Sequence, residues 1–391
     1  MAYKIGRRSP SHWEAKELQP DNPPSRRETI INDIQQQVQE AIDQLVESGA
    51  ERGLQVAVYW QGHPVVEAVA GVADPATERL VASDTPFFSF SIGKGVAAMV
   101  VHVLAEHGVL GYDTPIVELW PEFGAHGKEI ATVRHALSQS VGAPGLPAGL
   151  TPEDLYDWDK MCTIIADAEP WWEPGTRIGY HALTFGYIVG EIVRRATGKP
   201  ISRVLREEVA SPLGVADELF FGVPESELGR LAHLEEAEGN QGMFAGIPED
   251  SPMFKLGPPE CTTAAYGNRA DTLTADVPAY GTVTARAVAR LYAALLGEVD
   301  SVRLISPERL REVSAVAMTG VDQVFGFPTS WGLGYSIDRP TVFGVGGIGG
   351  SYAYADTATG TTFALTKNRL APSFDTAEQV TGIVANAVAH G

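Results

Sequence analysis

One segment of the chain is apolar on every side of a predicted helix. After Gly93, hydrophobic residues occupy nearly every position, in the run Val96, Ala97, Ala98, Met99, Val100, Val101, Val103 and Leu104. A helix that is hydrophobic all round offers no face to water, so it is buried in the core of a large domain. The fold must therefore enclose this helix with other elements, and a chain of 391 residues is long enough to supply them.

A hydroxyl and an amine stand three residues apart where this segment begins, at Ser91 and Lys94. Residues at that spacing share one helix face, so both side chains can point into one cleft. Burial lowers the pKa of a lysine, and a helix N-terminus acts in the same direction. A neutral amine beside a hydroxyl is a general base beside a nucleophile. Ser-x-x-Lys alone is a weak motif, but it occurs only once in the chain. Its lysine stands at the start of a strongly apolar helix, where a solvated lysine has little reason to be.

Hydrophobic periodicity predicts helices and strands in a definite order. Helical spacing occurs at 30–46, 285–296, 306–316 and 377–390. Runs typical of strands lie at 54–60, 65–72, 332–337, 341–345, 351–355 and 361–367. The first two strands are joined through 61–64 as a hairpin. Residues 224–278 are rich in loops, which often border a functional site.

Strands at both ends of the chain with helices between them indicate an α+β fold. We expect one antiparallel sheet built from both termini and flanked by helices, with a large, mainly helical region inserted. The predicted boundaries are an irregular leader at 1–27, a sheet domain formed by 28–84 and 301–391, and a helical domain at 85–300. The active site is expected at the interface of the two domains.

Charge and cysteine content narrow the classes of partner. The formal net charge is −20, which disfavours nucleic acid and anionic membranes as partners. No apolar run is long enough to span a membrane, and the polar N-terminus lacks the core of a signal peptide, so a cytoplasmic location is expected. Cys162 and Cys261 are too few for a disulfide framework; one bridge between them stays open. No metal-ligand spacing is found, and no cofactor is implied.

Two further patches can join the site of Ser91. Tyr180 precedes a predicted helix, where its phenol could reach Ser91; held near a cationic Lys94, it would have a lowered pKa and could transfer protons. The alternative is a core tyrosine. The glycine-rich run at 343–351 could aim a backbone N–H at an oxyanion together with the N–H of Ser91, or it could be a tight turn without a ligand.

The glycine-rich run also contains a false signal. Gly344, Gly346 and Gly349 spell G-x-G-x-x-G, the dinucleotide-binding fingerprint. That fingerprint requires a helix to follow, whereas the residues after Ser351 continue as a strand. We therefore reject a dinucleotide site.

With Ser91 and Lys94, then Tyr180-His-Ala182, then Val345-Gly-Gly347, the chain resembles the class C β-lactamase and DD-peptidase superfamily. Thr-Val-Arg-His-Ala-Leu at 132–137, Pro-Gly-Thr at 174–176 and Gly-Gly-Ser at 349–351 also look like its signatures. The resemblance runs from about residue 30 to the C-terminus. Within the superfamily, the chain is most similar to family VIII carboxylesterases and lovastatin-type acyltransferases, which implies a β-lactamase/transpeptidase-like fold.

The resemblance implies residue roles. Ser91 is expected to be the nucleophile, Lys94 its activating partner and Tyr180 the general base and acid. The backbone N–H groups of Ser91 and Ile348 would form the oxyanion hole. The remaining motif positions would bind substrate, namely Ala182, Val345, Gly346 and Gly347.

Two departures from the superfamily pattern bear on the substrate. Ala182 stands where a β-lactamase has asparagine, and Val345 stands where lysine or histidine supplies charge for a substrate carboxylate. The expected function is therefore hydrolysis of small neutral esters through an acyl-enzyme. A transacylase passing an acyl group from an ester or thioester to an alcohol or amine is the alternative. A β-lactamase or peptidase and a non-catalytic binding protein come after it.

Overall fold

The computed structural model describes residues 26–239, 246–248 and 250–389. Its helices are α1 (Arg26–Glu47), α2 (Ile92–Glu106), α3 (Ile116–Leu119), α4 (Val133–Leu137), α5 (Trp158–Ala166), α6 (Thr184–Thr197), α7 (Ile201–Val204), α8 (Ala264–Gly267), α9 (Ala270–Thr274), α10 (Ala285–Leu296), α11 (Pro307–Val313) and α12 (Asp375–Ala389). Its strands are β1 (Gly53–Trp60), β2 (His63–Asp74), β3 (Arg79–Leu80), β4 (Phe87–Phe88), β5 (Leu219–Phe220), β6 (Glu235–Glu236), β7 (Thr282–Val283), β8 (Met318–Val321), β9 (Pro328–Trp331), β10 (Ser336–Arg339), β11 (Val342–Gly346), β12 (Tyr352–Asp356), β13 (Thr361–Lys367) and β14 (Arg369–Leu370).

The main sheet is antiparallel and draws on both ends of the described chain. Its strand order is β3-β2-β1-β13-β12-β11-β10-β9-β8. The N-terminal and C-terminal strands meet where β1 pairs with β13, in a register that runs from Leu54 opposite Lys367 to Trp60 opposite Thr361. The α+β fold with a sheet built from both termini is confirmed.

Helices cover both faces of this sheet. On one face, α1 and α12 pack against each other and against buried strand residues through an apolar cluster that includes Ile34, Val38 and Val380. On the other face, α10 lies across β1 and β13. Helix α10 precedes residue 300, so a helix assigned by sequence to the helical domain covers the sheet. The predicted domain boundaries otherwise stay a prediction.

Helix α2 is enclosed as its composition predicts. Every residue from Ile92 to Ala105 is buried, and α6, α7 and β11 pack around the helix. Each fully buried Val, Leu or Met side chain contributes about 1.5–3 kcal/mol through its removal from water. The helix that begins directly after the predicted nucleophile is therefore part of the core.

The predicted strand at 332–337 is wrong in its extent. Strand β9 ends at Trp331 and β10 begins at Ser336, with a turn between them in which Gly332 donates a backbone hydrogen bond to Tyr335. Gly334 in this turn has φ +92 and lies against Ala98 of α2. Strand β8 was not predicted, because it is only four residues long and mostly exposed, so it shows no hydrophobic pattern.

The ends of the chain differ slightly from expectation. Helix α1 begins at Arg26, one residue before the predicted end of the leader at residue 27, and residues 1–25 lie outside the described residues. Helix α12 spans Asp375–Ala389, and the predicted last position, His390, also lies outside them. No helix among the described residues combines the length and hydropathy needed to cross a bilayer. The cytoplasmic location stays a prediction.

Candidate active site

Ser91 lies at the junction between β4 and α2, as the residue immediately before the helix. The residue before it, Phe90, has φ +47 although it is a fully buried aromatic residue. Such a conformation is costly and persists only where the surroundings enforce it. Here the ring of Phe90 packs against Phe88 and Tyr280. The chain is thus held in a sharp turn that presents Ser91 at the start of the helix.

A backbone crossing fixes the first turn of α2. A Cβ on Gly93 would lie 2.2 Å from the carbonyl carbon of Tyr280, so only glycine allows the two chain segments to approach this closely. The amide of Ser89 donates to the carbonyl of Gly281, and the amide of Gly281 donates to the carbonyl of Phe90. The turn around Ser91 is therefore anchored to residues 280–281 on both sides.

The three side chains predicted to act together are in contact. Oγ of Ser91 lies 3.0 Å from Nζ of Lys94, and the phenol of Tyr180 donates a hydrogen bond to the same Oγ at 2.8 Å. Nζ of Lys94 also donates to the carbonyl oxygen of Ala279 at 3.2 Å. The hydroxyl therefore lies between an amine and a phenol, each close enough to exchange a proton with it.

Lys94 is buried without a carboxylate partner. It is 1% exposed, and no ion pair involves it among the described residues. Burial disfavours the charged amine and lowers the pKa of Lys94 from 10.5 to about 7. The lowered pKa expected from the sequence is thus found, and the neutral amine is well populated near neutral pH.

The expected lowering of the Tyr180 pKa is wrong. Burial of the phenol raises the pKa of Tyr180 to about 12; the hydrogen bond to Ser91 opposes this rise, and the charge of Asp322 adds to it. The expectation assumed that a cationic Lys94 stabilises the phenolate, but burial favours the neutral form of that amine. The resting phenol is protonated, which suits it to donate a proton.

The glycine turn after β11 lies directly against the turn that holds Ser91. A Cβ on Gly347 would lie 2.2 Å from the carbonyl oxygen of Ser89, so this contact requires glycine. The amides of Ser91 and Ile348 donate no backbone hydrogen bond within the described chain, although Gly347 donates to Ser351. Two free N–H groups on adjoining turns are what an oxyanion hole needs.

A cleft of about 750 Å³ opens over Ser91. It lies between the helical region and the C-terminal strands, and most of the sequence-predicted site residues line it, namely Ser91, Tyr180, Ala182, Val345, Gly346, Gly347 and Ile348. Lys94 lies behind Ser91 and does not reach the cleft. The side chain of Val345 is buried and points toward Gly95 of α2.

Sequence reasoning missed part of the cleft wall. Aromatic side chains from the loops around β9 and after β14 line it, namely Phe325, Phe327, Trp331 and Phe374. Two carboxylates, Asp322 and Asp338, line it as well. The available signal was the short Phe-Gly-Phe segment at 325–327, in which Phe327 is exposed and Phe325 is half-buried. Their position depends on the hairpin between β8 and β9, which was not predicted.

The other candidates carry no chemistry here. The glycine-rich run at 343–351 is followed by strand β12 and not by the helix that a dinucleotide site needs. Cys162 and Cys261 are separate buried thiols, and burial raises the pKa of Cys261 to about 12. Within the described ranges, no group of His, Cys, Asp or Glu side chains could hold a metal ion.

The chain is similar to known proteins over most of its length. The beta-lactamase family model matches residues 38–386. The chain is 35% identical over 334 residues to the esterase/beta-lactamase LipL of Mycobacterium tuberculosis, which covers 81% of this chain and 76% of that protein.

The chain is also similar to solved structures over about nine tenths of its length. A family VIII carboxylesterase superimposes with a TM-score of 0.83 at 31% identity, over 90% of this chain and 97% of that one. A penicillin-binding protein homolog from Caulobacter crescentus superimposes with a TM-score of 0.78, also at 31% identity, over 91% of this chain and 98% of the other.

Proposed function

Because the chain belongs to the beta-lactamase family and is a serine hydrolase of esterase type, we propose that it hydrolyses small neutral carboxylic esters through an acyl-enzyme on Ser91. One observation carries the proposal. Oγ of Ser91 contacts both Lys94 and Tyr180 at the base of a largely apolar cleft. The cleft supplies the binding surface and the triad supplies the proton transfers.

Acylation begins with proton transfer from Ser91 to the neutral amine of Lys94 as Oγ attacks the ester carbonyl. The developing oxyanion accepts hydrogen bonds from the backbone N–H groups of Ser91 and Ile348. The phenol of Tyr180 donates its proton to the leaving alkoxide and recovers one from the ammonium of Lys94. The alcohol departs, and an ester of Ser91 remains.

Deacylation uses the same groups in the reverse direction. Water enters the place of the leaving alcohol and attacks the acyl carbonyl. As it attacks, it gives a proton to Tyr180, and the phenol proton of Tyr180 passes to the neutral amine of Lys94. Collapse of the second tetrahedral intermediate returns the proton to Oγ of Ser91 and releases the carboxylic acid. No cofactor takes part in either half of this proposed reaction.

Preference for neutral esters is supported by the two positions that depart from the superfamily pattern. Ala182 packs against an apolar cluster of Met253, Leu256 and Val324 and offers no amide to a substrate. Val345 is buried and brings no cation to the cleft. Among the described residues that line the cleft there is no lysine or arginine. A substrate carboxylate would therefore meet no lysine or arginine among these lining residues.

A second candidate is acyl transfer to an alcohol or amine, because an apolar cleft can exclude water from the acyl-enzyme. A third is hydrolysis of β-lactams, since one relative is named an esterase/beta-lactamase. Product ratios from an ester with and without millimolar alcohol separate hydrolysis from transfer. Dominant transfer against about 55 M water would establish a transacylase.

The testing experiment is intact-protein mass spectrometry after brief incubation with p-nitrophenyl butyrate, comparing wild type with Ser91→Ala. We expect a butyryl adduct that maps to Ser91, accompanied by p-nitrophenol release, and neither in the variant. If deacylation is too fast for an adduct to accumulate, a fluorophosphonate probe replaces the ester. Turnover or labelling that persists in Ser91→Ala would refute the assignment, and a protein inert to both reagents would indicate a binding function.

A further inference from the structure

The carboxylate of Asp322 is buried beside the active site. Asp322 follows β8, is 2% exposed, and lines the same cleft as Ser91. Its Oδ1 accepts hydrogen bonds from the backbone amides of Val324 and Phe325 at 2.8 and 2.9 Å. Its own amide donates to the carbonyl of Phe327, which closes the loop. The side chain is therefore fixed in one place by the hairpin between β8 and β9.

No cation of the described residues pairs with this carboxylate. Asp322 forms no ion pair within the described part of the chain, and its Oδ2 accepts no hydrogen bond there. The guanidinium of Arg177 donates a hydrogen bond to the side-chain oxygen of Gln323, the residue next to Asp322, at 3.3 Å, and it forms no ion pair with Asp322. Burying an unpaired charge is costly, so a carboxylate kept this way calls for a role beyond capping a loop.

The charge of Asp322 acts on the reacting groups. The ring of Phe325, three residues along the same loop, packs 5.3 Å from the ring of Tyr180. The phenol of Tyr180 bonds Ser91, and the negative charge of Asp322 contributes to the raised pKa of that phenol. The field of this carboxylate therefore reaches the place where the ester must lie.

The rest of the wall suits uncharged or cationic groups. The aromatic faces of Phe325, Phe327 and Trp331 line the cleft, and the described lining residues include no lysine or arginine. Asp338 lies at the exposed rim, where it accepts a hydrogen bond from the phenol of Tyr352 at 2.6 Å. Aromatic faces attract a cation, and carboxylates repel an anion.

We propose that Asp322 is a specificity-determining residue that makes the cleft select esters by charge, excluding those with a carboxylate and admitting neutral esters and esters of a quaternary ammonium alcohol. The inference rests on the proposed esterase function and names its substrate class. Val345 removes the cation that would attract a substrate carboxylate. Asp322 goes further and repels such a substrate, because a fixed negative charge raises the free energy of any anionic substrate in the cleft.

The test uses three butyrate esters of nearly equal shape and different charge. The alcohols are 3,3-dimethylbutanol, choline and 4-hydroxy-2,2-dimethylbutanoate, which are neutral, cationic and anionic. The measured quantity is kcat/KM for each ester with wild type and Asp322→Asn. Asparagine keeps an oxygen for the amides of Val324 and Phe325 but carries no charge. We expect the anionic-to-neutral ratio of kcat/KM to rise about tenfold in the variant, and the cationic-to-neutral ratio to fall.

Asp338→Asn is the matched control, since it removes an exposed carboxylate from the same cleft. Its effect on the ratios is expected to be much smaller, because solvent screens an exposed charge. Unchanged ratios in Asp322→Asn, with Ser91 still labelled by a fluorophosphonate, would overturn the proposal. Equal changes in both variants would overturn it too, by assigning the selectivity to the general negative charge of the cleft. Failure of the esterase function itself would instead appear as no turnover of the neutral ester by wild type.

Discussion

At the scale of single residues, Lys94 decides how the site depends on pH. The proposed base must be neutral to accept the proton of Ser91, and its pKa is about 7. We expect kcat/KM for a neutral ester to rise with pH through one ionisation near 7 and then to level off, because Tyr180 stays protonated until about pH 12. Initial rates at the isosbestic wavelength of p-nitrophenol measure this. A flat profile from pH 6 to 9 would exclude Lys94 as the base.

The same lysine makes folding depend on pH. Its pKa is about 7 when buried and 10.5 when exposed, so between those values the unfolded chain binds a proton that the folded chain does not. Stability therefore rises with pH over that window, by about 2 kcal/mol between pH 7 and 9. Urea unfolding of wild type and Lys94→Met measures it. The variant should be inactive and should lack this part of the rise; parallel curves would contradict the burial of a neutral amine.

Individual side chains were predictable where the reason is local. Ser91 and Lys94 follow from helical spacing in an apolar segment. The position of Tyr180 before a helix left it open as a core tyrosine, and only the resemblance to the superfamily assigned it to the site. The direction of the Tyr180 pKa shift was not predictable, because it depends on how far burial removes both the phenol and its neighbouring amine from water.

At the scale of elements, the turn after β11 has to approach the turn before α2. We expect Gly347→Ala to lower kcat by about a hundredfold or more, because a Cβ 2.2 Å from the carbonyl of Ser89 would displace the oxyanion donors. Steady-state kinetics with p-nitrophenyl butyrate measure this loss.

The matched glycine variant is Gly382→Ala on the exposed side of α12, where a new Cβ meets no atom within 4 Å. It should keep wild-type kinetics and gain up to about 1 kcal/mol in stability, since alanine favours a helix over glycine. Normal kinetics in Gly347→Ala would show that the two turns tolerate separation and would remove the argument for an oxyanion hole there.

Elements with a strong period were predictable, and those governed by distant contacts were not. Helix α2 and strands β1, β11 and β13 follow from their hydrophobic patterns. The break between β9 and β10 depends on Gly334 meeting Ala98 of another element. The hairpin that carries Asp322 and Phe325 has two strands of four residues each, and strands this short give no clear hydrophobic period.

At the scale of the whole molecule, a buried ion pair joins the N-terminal and C-terminal parts of the sheet where β1 and β13 meet. Lys367 at the end of β13 bonds Glu51 just before β1, both side chains are 2% exposed, and Thr376 donates to the same carboxylate at 2.6 Å. We expect Lys367→Met to lower the free energy of unfolding by about 3–5 kcal/mol, because it leaves a buried carboxylate without a partner.

Denaturant unfolding of Lys367→Met beside the double variant Glu51→Gln, Lys367→Met tests this. The double variant should recover most of the loss, since an uncharged pair costs less to bury. A single variant as stable as wild type would show that water reaches Glu51 and that this pair does not fasten the two halves of the sheet.

The crossing of Gly93 with residues 280–281 has a consequence for inactivation by heat. The backbone that presents the nucleophile is packed in the core. We therefore expect that the catalytic centre does not unfold locally before the rest of the protein. Loss of catalysis on warming should then coincide with loss of the fold as a whole. Residual activity after heating would then equal the fraction of molecules that remain native, and its dependence on temperature would follow the global unfolding curve.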